Sequence, residues 1–274
     1  MTMPRGHLRK MSSVLNTPIE YALTLGEDRI PLAPWYGREL RLEHTGEIAC
    51  VHCGRKTNKS FDQGYCFPCS RSLAQCDICM VRPEQCHFAA GICREPEWGL
   101  AHCMRPHYVY LANSSGLKVG ITRETQVPTR WIDQGAVQAL PIFKVQSRLQ
   151  SGLLEVALKQ HVADKTNWRK MLRGGAERID LPARRDELLA RCAPEIDRLV
   201  TRFGADAIQP LPGAAAVELE YRVLEHPNMV TSLSLDKTPE IRGTLLGIKG
   251  QYLILDSGVL NVRKFTGYQV VVHR

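Results

Sequence analysis

The chain has 274 residues, of which 44% are hydrophobic, enough for one large domain or two to three small ones. It contains no uninterrupted run of about 18 apolar residues, so the sequence predicts no membrane-spanning helix. The formal net charge of +8 favours an acidic partner, with nucleic acid as the leading candidate.

The N-terminal segment begins with polar and basic residues, from Met1 to Lys10, and lacks the apolar stretch of a secretory signal. We therefore expect a cytoplasmic protein. From Glu20 to Ile48, alternating apolar residues and the turn at Gly26 predict strands and turns.

Nine of the ten cysteines lie between Cys50 and Cys103. Disulfide scaffolds spread cysteines through a short secreted chain, whereas clustered CxxC pairs are typical of metal sites. Two such pairs have the spacing of a zinc ribbon or treble clef. Two residues between thiolates let one tight turn present both sulfurs to a tetrahedral ion. The predicted ligands of this first zinc site are Cys50, Cys53, Cys66 and Cys69.

A second cysteine set begins at Cys76 and Cys79 and continues with Cys86, Cys93 and Cys103. We predict that the first two bind a second zinc ion with two of the later three. A mixed shell in which His107 takes part is an alternative. Because a closed four-thiolate shell leaves no position for water, both zinc ions are assigned structural roles. Two such sites would lower the net charge from +8 to roughly +4.

The segment 101–150 has an excess of basic residues, with only Glu124 and Asp133 as acids. This excess predicts a surface that faces phosphate groups, and an ordinary solvated surface is the alternative. The basic residues are Arg105, Lys118, Arg123, Arg130, Lys144 and Arg148.

Residues from His107 to Thr122 are predicted to form a strand, a short turn and a second strand. Pro128 then begins a short helix that contains Arg130 and ends at Gly135. Ser151 is predicted to cap the next helix, which contains Glu155.

The segment from Tyr108 to about Asn167 resembles the GIY-YIG endonuclease superfamily. Tyr110 matches the tyrosine of the first motif strand, and Lys118-Val119-Gly120 occupies the place of the second motif. Arg130 follows at the interval of the catalytic arginine. Glu155 matches the metal-binding glutamate of a later helix, and Asn167 lies where many members have an asparagine.

The segment departs from this superfamily at two positions. Lys118 replaces the second tyrosine, and Gln134 lies where many members have a histidine. The zinc clusters, the turn after Leu111 and the basic β-rich tail together also resemble an uncharacterised bacterial family without an assigned function. The resemblance therefore implies more about architecture than about activity.

The resemblance implies a site that hydrolyses phosphodiesters. Glu155 would hold hydrated Mg²⁺ or Mn²⁺, and Arg130 would stabilise the charge that develops on the phosphorane. Tyr110 would help to deprotonate the attacking water. Lys118 would either assist this deprotonation through a lowered pKa or bind phosphate.

Each of these residues also has a purely structural interpretation. Tyr110 suits a strand core, Arg130 and Glu155 suit an ordinary ion pair, and Asn167 suits a helix cap. Trp131 and Trp168 suit a core better than a platform for base stacking.

The C-terminal part begins with helical patterns after Asp180, and Pro194 is predicted to split or kink them. Cys192 lies on the apolar face of this region and is predicted to be a core residue. Residues 209–216 have the composition of a linker. Four short strands between Ile241 and His273 predict a small barrel. The strands of Glu20 to Ile48 are expected to pair with it.

The predicted fold class is α+β, with a zinc-ribbon-like Cys-rich module, a GIY-YIG-like mixed α/β domain and a small β-barrel-like terminal domain. The predicted divisions are 1–48, 49–107, 108–208 and 217–274. The predicted function is a zinc-containing nucleic-acid-processing protein, with a Mg²⁺- or Mn²⁺-dependent endonuclease as its specific form. A non-catalytic, zinc-dependent protein that binds RNA or DNA is the first alternative, and a zinc-scaffolded protein adaptor is the second.

Overall fold

The structure, a computed structural model, describes residues 3–273 and has mixed α+β architecture. Among these residues no helix is long and apolar enough to cross a membrane. The strands are β1 (Arg5–His7), β2 (Ser12–Val14), β3 (Glu20–Leu25), β4 (Asp28–Pro31), β5 (Glu39–Ile48), β6 (His107–Asn113), β7 (Leu117–Arg123), β8 (Gln138–Val145), β9 (Ile208–Pro210), β10 (Val217–Glu218), β11 (Glu240–Lys249), β12 (Tyr252–Leu255), β13 (Gly258–Asn261) and β14 (Tyr268–His273). The helices are α1 (Phe67–Ser72), α2 (Pro96–His102), α3 (Thr129–Asp133), α4 (Arg148–Leu158), α5 (Trp168–Leu172), α6 (Leu181–Arg191) and α7 (Ala193–Phe203).

The chain forms two compact units. Unit 1 comprises residues 1–71, 172–174 and 220–274, and unit 2 comprises 72–171 and 175–219. The first cysteine set therefore lies in unit 1 and the second in unit 2.

Unit 1 contains a six-stranded sheet in the order β1-β14-β5-β11-β12-β13 and a three-stranded sheet in the order β2-β3-β4. The large sheet joins both ends of the chain, since β5 pairs antiparallel with β11 and β14. Leu40 and Leu42 of β5 are buried and alternate with Glu39, Arg41 and Glu43, which is the pattern of a strand with one face in a core.

The predicted barrel is wrong. The strand path of the six-stranded sheet has two edges, β1 and β13, and among residues 3–273 no pairing closes the sheets of unit 1 into a barrel. Alternating apolar residues specify one buried face of each strand but do not specify closure, so both architectures satisfy the same pattern.

Unit 2 contains a sheet in the order β10-β8-β6-β7, with β9 also paired to β8. One face of this sheet packs against α4, α6 and α7 through a core that includes Val109, Leu111 and Leu154. Cys192 lies in the same core and is fully buried, as predicted. Residues 209–216, predicted as a linker, begin inside β9.

Helix α4 begins earlier than the sequence suggested. Ser147 is its N-cap, and a capping box joins Ser147 and Gln150, whereas Ser151 lies inside the helix. The prediction of Ser151 as the cap is therefore wrong. The pair Ser147 and Gln150 has the spacing of a capping box and was the better signal. Pro194 does separate two helices, since α6 ends at Arg191 and α7 begins at Ala193.

Candidate functional site

The first cysteine set of unit 1 has the geometry of a zinc site. One sulfur from each of Cys50, Cys53, Cys66 and Cys69 lies within 4.8 Å of the other three. The Sγ atoms of Cys53 and Cys66 are 3.7 Å apart. A tetrahedral zinc ion with Zn–S bonds of about 2.3 Å separates its sulfurs by about 3.8 Å. The four thiols therefore surround a space of the right size for one zinc ion.

Local backbone structure presents these sulfurs. Gly54 has φ of +70° and donates its N–H to the carbonyl oxygen of Cys50, closing the first turn. The left-handed conformation at this position favours glycine. The second pair lies at the start of α1, where Ser70 N–H bonds the carbonyl oxygen of Cys66. Burial disfavours the thiolate of Cys50, but N–H groups of Cys53, Cys66 and His52 overcome this and lower its pKa to about 6.

The cysteines of the described chain are all free thiols, including the four at this site. Three of these four are buried and Cys53 is exposed. A closed shell of four sulfurs next to a polar loop is typical of a structural zinc site. The cluster is compatible with a zinc ribbon, and one zinc ion fits it.

The second cysteine set of unit 2 has a looser arrangement. Asp77, Cys79 and His87 bring ligand atoms within 4.8 Å of one another. However, the Asp77 carboxylate lies 2.6 Å from Arg94 Nε and also accepts the Cys79 N–H. An acid held by a guanidinium is a poor candidate for a metal ligand.

The later thiols Cys86, Cys93 and Cys103 line one small cavity together with Cys79, whereas Cys76 does not line it. Cys86 and Cys103 form a hydrogen bond between their side chains. This bond, together with burial, raises the pKa of the Cys103 thiol. Cys93 donates to the carbonyl oxygen of Glu95 at 3.5 Å, and Cys76 is half-buried. His107 is fully buried with its Nδ1 atom 2.7 Å from the carbonyl oxygen of Arg105. The geometry supports one zinc site well and a second only weakly.

Tyr110 lies in unit 2 on β6, where it pairs with Gly120 of β7. Its side chain is fully buried, and its hydroxyl donates to Gln134 Oε1 at 2.9 Å. Its ring packs edge-on against Trp131, with centroids 5.9 Å apart. Burial is the main reason that its pKa rises to about 12, although Arg130 opposes the shift.

The charges of Arg130 and Glu155 act on Tyr110, and the same two charges act on Lys118. We call these four residues the Tyr110 cluster: Tyr110, Lys118, Arg130 and Glu155. Lys118 is 4% exposed and donates to Thr166 Oγ1 at 3.2 Å. Burial, and then the charge of Arg130, lowers its pKa to about 8. Burial also raises the pKa of Glu155 to about 7, although Lys159, Lys118 and Arg130 act in the opposite direction.

Asn167, the fifth residue predicted at this site, has a structural partner. Its Oδ1 atom accepts the Lys170 N–H at 3.1 Å in the first turn of α5, and its own N–H bonds Ser115 Oγ. This is the geometry of a helix cap. Trp131 is buried, and Trp168 is half-buried with Arg169 stacked over its ring at 4.3 Å.

The basic residues of segment 101–150 are largely engaged within unit 2. Lys144 pairs with Glu124 at 2.7 Å. Arg148 donates to the carbonyl oxygens of Cys79 and Met80. Lys118 is buried as well, so three of the six basic residues have contacts within unit 2.

The structure adds three residues that the sequence did not single out as site residues. Gln134 holds the Tyr110 hydroxyl, Thr166 holds Lys118, and the charge of Asp164 acts on both Lys118 and Glu155. Gln134 follows Arg130 by four residues and is the C-cap of α3. The sequence pattern did not indicate Asp164 or Thr166. They come near the cluster because the segment after α4 pairs with β7 through the bridge between Lys118 and Ala163, a contact between residues far apart in the chain.

A comparison with protein families gives a match over most of the chain. Residues 37–270 match the family described as protein of unknown function, DUF2797. No curated protein and no solved structure matches the chain. The matched segment spans most of both compact units and includes the four-cysteine cluster and the Tyr110 cluster. The chain therefore belongs to the DUF2797 family.

Proposed function

We propose that this protein processes nucleic acid, and that the Tyr110 cluster is a phosphodiesterase site that depends on Mg²⁺ or Mn²⁺. The observation that supports this proposal is the convergence of four side chains from separate elements. Tyr110 comes from β6, Lys118 from β7, Arg130 from α3 and Glu155 from α4. Tyr110, Arg130 and Glu155 have the residue types of the GIY-YIG superfamily at their positions. Lys118 replaces the second tyrosine of that superfamily.

The residues of the cluster suit a divalent cation. Glu155 is a half-buried carboxylate, and Asp164 adds a second negative charge nearby. Mg²⁺ is commonly held by one or two carboxylates together with substrate phosphate and water. When bound, such a cation would supply charge neutralisation at the scissile phosphate. The burial that raises the Glu155 pKa makes a cation a favourable partner for its charged form.

The other members of the cluster would act on the substrate directly. The guanidinium of Arg130 offers planar donors that fit two phosphate oxygens at once. The ammonium of Lys118 would bind a non-bridging oxygen. Tyr110, held by Gln134, would orient the attacking water through its hydroxyl oxygen, since a phenol with a pKa of about 12 remains protonated near neutral pH.

A second candidate function is non-catalytic binding of RNA or DNA. The full burial of Tyr110 favours this candidate, because a phenol without solvent exposure is poorly placed to reach a substrate. The substitution of the second motif tyrosine by Lys118 has the same implication. In this case, zinc would stabilise the fold and phosphate groups would bind at basic residues.

A cleavage assay separates the two candidates. Labelled single- and double-stranded DNA and RNA are incubated with the zinc-loaded protein and Mg²⁺ or Mn²⁺. Cleavage by the wild type that is lost in Glu155→Gln and kept in Glu187→Gln supports the enzyme, since Glu187 is an exposed glutamate of α6. Salt-sensitive binding without cleavage supports the binder. Absence of both binding and cleavage would exclude both candidates.

A further inference from the structure

Unit 1 contains a polar cleft next to the four-cysteine cluster, with a volume of about 570 Å³. One wall comes from the loop between Cys53 and Cys66 and includes Lys59 and Ser60. The other wall comes from the C-terminal strands and includes Arg263, Lys264 and Tyr268. We call this feature the basic cleft. It belongs to none of the sites described above.

The charge of the basic cleft is positive. Three cationic residues line it, namely Lys59, Arg263 and Lys264, and Asp236 is the one acid among the described lining residues. The Asp236 carboxylate accepts a hydrogen bond from the Tyr268 hydroxyl at 2.6 Å. This bond directs one of its oxygens toward the protein. The cleft therefore favours an anion that carries more than one negative charge.

The walls are held in place by packing and hydrogen bonds. Ser60 Oγ donates to the carbonyl oxygen of Thr266 at 3.2 Å, which joins the metal loop to the C-terminal strands. Gly64 fits so closely that an added Cβ would lie 2.7 Å from Val51 Cγ1 and 3.0 Å from Thr266 Cγ2. Because both ends of the loop are zinc-ligand positions, zinc binding would fix this wall.

Amide side chains supply the remaining polar groups of the cleft. Asn58 and Gln63 line it, and Gln63 is in the left-handed region with φ of +66°. Such backbone conformations in residues other than glycine are often associated with functional positions. Asn261 also lines the cleft, and its enclosed Oδ1 atom has no hydrogen-bond partner within residues 3–273. An unpaired buried acceptor is unfavourable, so a donor from a ligand would relieve it.

The two lysines that line the cleft each lie over an aromatic ring. Lys59 Nζ lies 5.3 Å from the ring centroid of Phe61, and Lys264 Nζ lies 5.3 Å from that of Phe265. Both lysines are exposed and line the cleft, so their charges are available to a ligand there. Side chains that rest on aromatic rings lose less freedom when they bind an anion.

We propose that the basic cleft binds a phosphate-bearing nucleotide, either free or as part of a nucleic-acid strand. The cationic residues would bind the phosphate, and the amides of Asn58, Gln63 and Asn261 would bind polar edges of the base or sugar. A volume of about 570 Å³ lies within the range of small-molecule sites, roughly 300–1,000 Å³. The proposal does not depend on hydrolysis at the Tyr110 cluster, which lies in unit 2.

Binding to the zinc-loaded full-length protein tests the proposal. The probes are inorganic phosphate, 5′-AMP and a labelled single-stranded oligonucleotide as DNA and as RNA. Affinity is measured by calorimetry or fluorescence anisotropy without added Mg²⁺ or Mn²⁺. The double variant Lys59→Glu/Lys264→Glu is compared with Arg29→Glu, an exposed charge reversal on β4 of the same unit. Both comparisons are repeated in an Arg130→Gln background, which removes a cation of the Tyr110 cluster.

The double variant is expected to bind 5′-AMP or the oligonucleotide at least about tenfold more weakly than Arg29→Glu in both backgrounds. The slope of the logarithm of the oligonucleotide binding constant against the logarithm of the salt concentration should decrease in magnitude by about one per lysine removed. If the double variant loses only oligonucleotide binding, the ligand is a nucleic-acid strand. If it also loses 5′-AMP binding, the cleft binds free nucleotides as well. Three results would overturn the proposal: no binding of any probe, equal affinity of both variants, or binding of inorganic phosphate by the wild type as tight as its binding of 5′-AMP and of the oligonucleotides. Circular dichroism and zinc content verify that the variants are folded.

Discussion

The hydroxyl of Tyr110 lies against the backbone of Gly120 on the neighbouring strand. Tyr110 and Gly120 are directly paired between β6 and β7, and a Cβ added at Gly120 would lie 2.7 Å from the Tyr110 hydroxyl oxygen. The glycine of the second motif therefore has a steric reason in this chain. It leaves room for a fully buried phenol over the hairpin.

This contact predicts the effect of Gly120→Ala. Because Tyr110 is enclosed by Trp131 and Gln134, it cannot move away without disturbing the core. We expect a loss of about 1–3 kcal/mol in the free energy of unfolding, the usual cost of overpacking. Urea denaturation followed by circular dichroism measures this. Gly213→Ala is the matched control, since its added Cβ meets nothing within 4 Å. Equal stability of the two variants would contradict the steric argument.

The four-cysteine cluster predicts a zinc content that depends on its ligands. Cys50→Ser or Cys66→Ser should each lose about one equivalent of zinc relative to the wild type and should lower the melting temperature, because metal binding stabilises the folded state. Elemental analysis of purified protein measures the zinc. Cys192→Ser should keep the wild-type content, since this cysteine lies in the core of unit 2. Unchanged zinc in the first two variants would show that the ligands are assigned wrongly.

Glu155 predicts a stability that depends on pH. Its pKa is raised by burial from an ordinary value near 4.5 to about 7. Below pH 4.5 the carboxyl is protonated in both the folded and the unfolded state and costs nothing. As pH rises toward 7, the unfolded state ionises first, so the folded state is progressively destabilised, and above pH 7 the full cost is present.

Glu155→Gln removes this cost. In buffer without added divalent cation, we expect the variant to match the wild type near pH 4.5 and to exceed its stability by roughly 1–3 kcal/mol at pH 8. Added Mn²⁺ should stabilise the wild type and leave the variant unchanged if Glu155 holds the cation. Urea denaturation at both pH values gives the comparison. A variant less stable than the wild type at pH 8 would mean that the carboxylate has a favourable partner.

Arg148 links α4 to the second cysteine set within unit 2. Its Nε and terminal nitrogen donate to the carbonyl oxygens of Cys79 and Met80 at 3.2 and 2.8 Å. Arg148→Lys keeps the charge but loses the paired donors. We expect the free energy of unfolding to fall by about 1–3 kcal/mol, because half-buried carbonyl groups lose their hydrogen-bond partner. Arg184→Lys, at an exposed pair with Glu187, should change stability much less. Thermal melting of both variants separates these cases, and equal losses would argue against the link.

The sequence by itself determined the elements that follow from local chemistry. The pairs Cys50/Cys53 and Cys66/Cys69, each separated by two residues, predicted the four-cysteine cluster, because a single turn fixes the distance between two sulfurs. Gly135 and Gly204 ended helices as expected, since both adopt positive φ. The alternation of apolar residues located β5 and β14, because one face of each strand packs in a core.

Tertiary structure decided what depends on residues far apart in the chain. The open sheet of unit 1 depends on the pairing of β5 with β11 and β14, and periodicity does not specify partners. The division of the cysteines between two units follows from the same long-range contacts. The basic cleft needs residues near Lys59 and near Lys264 to meet, and the environment of Glu155 needs Asp164 to return beside β7. Burial and charge at these positions come from neighbours that are distant in sequence, so only the folded chain defines them.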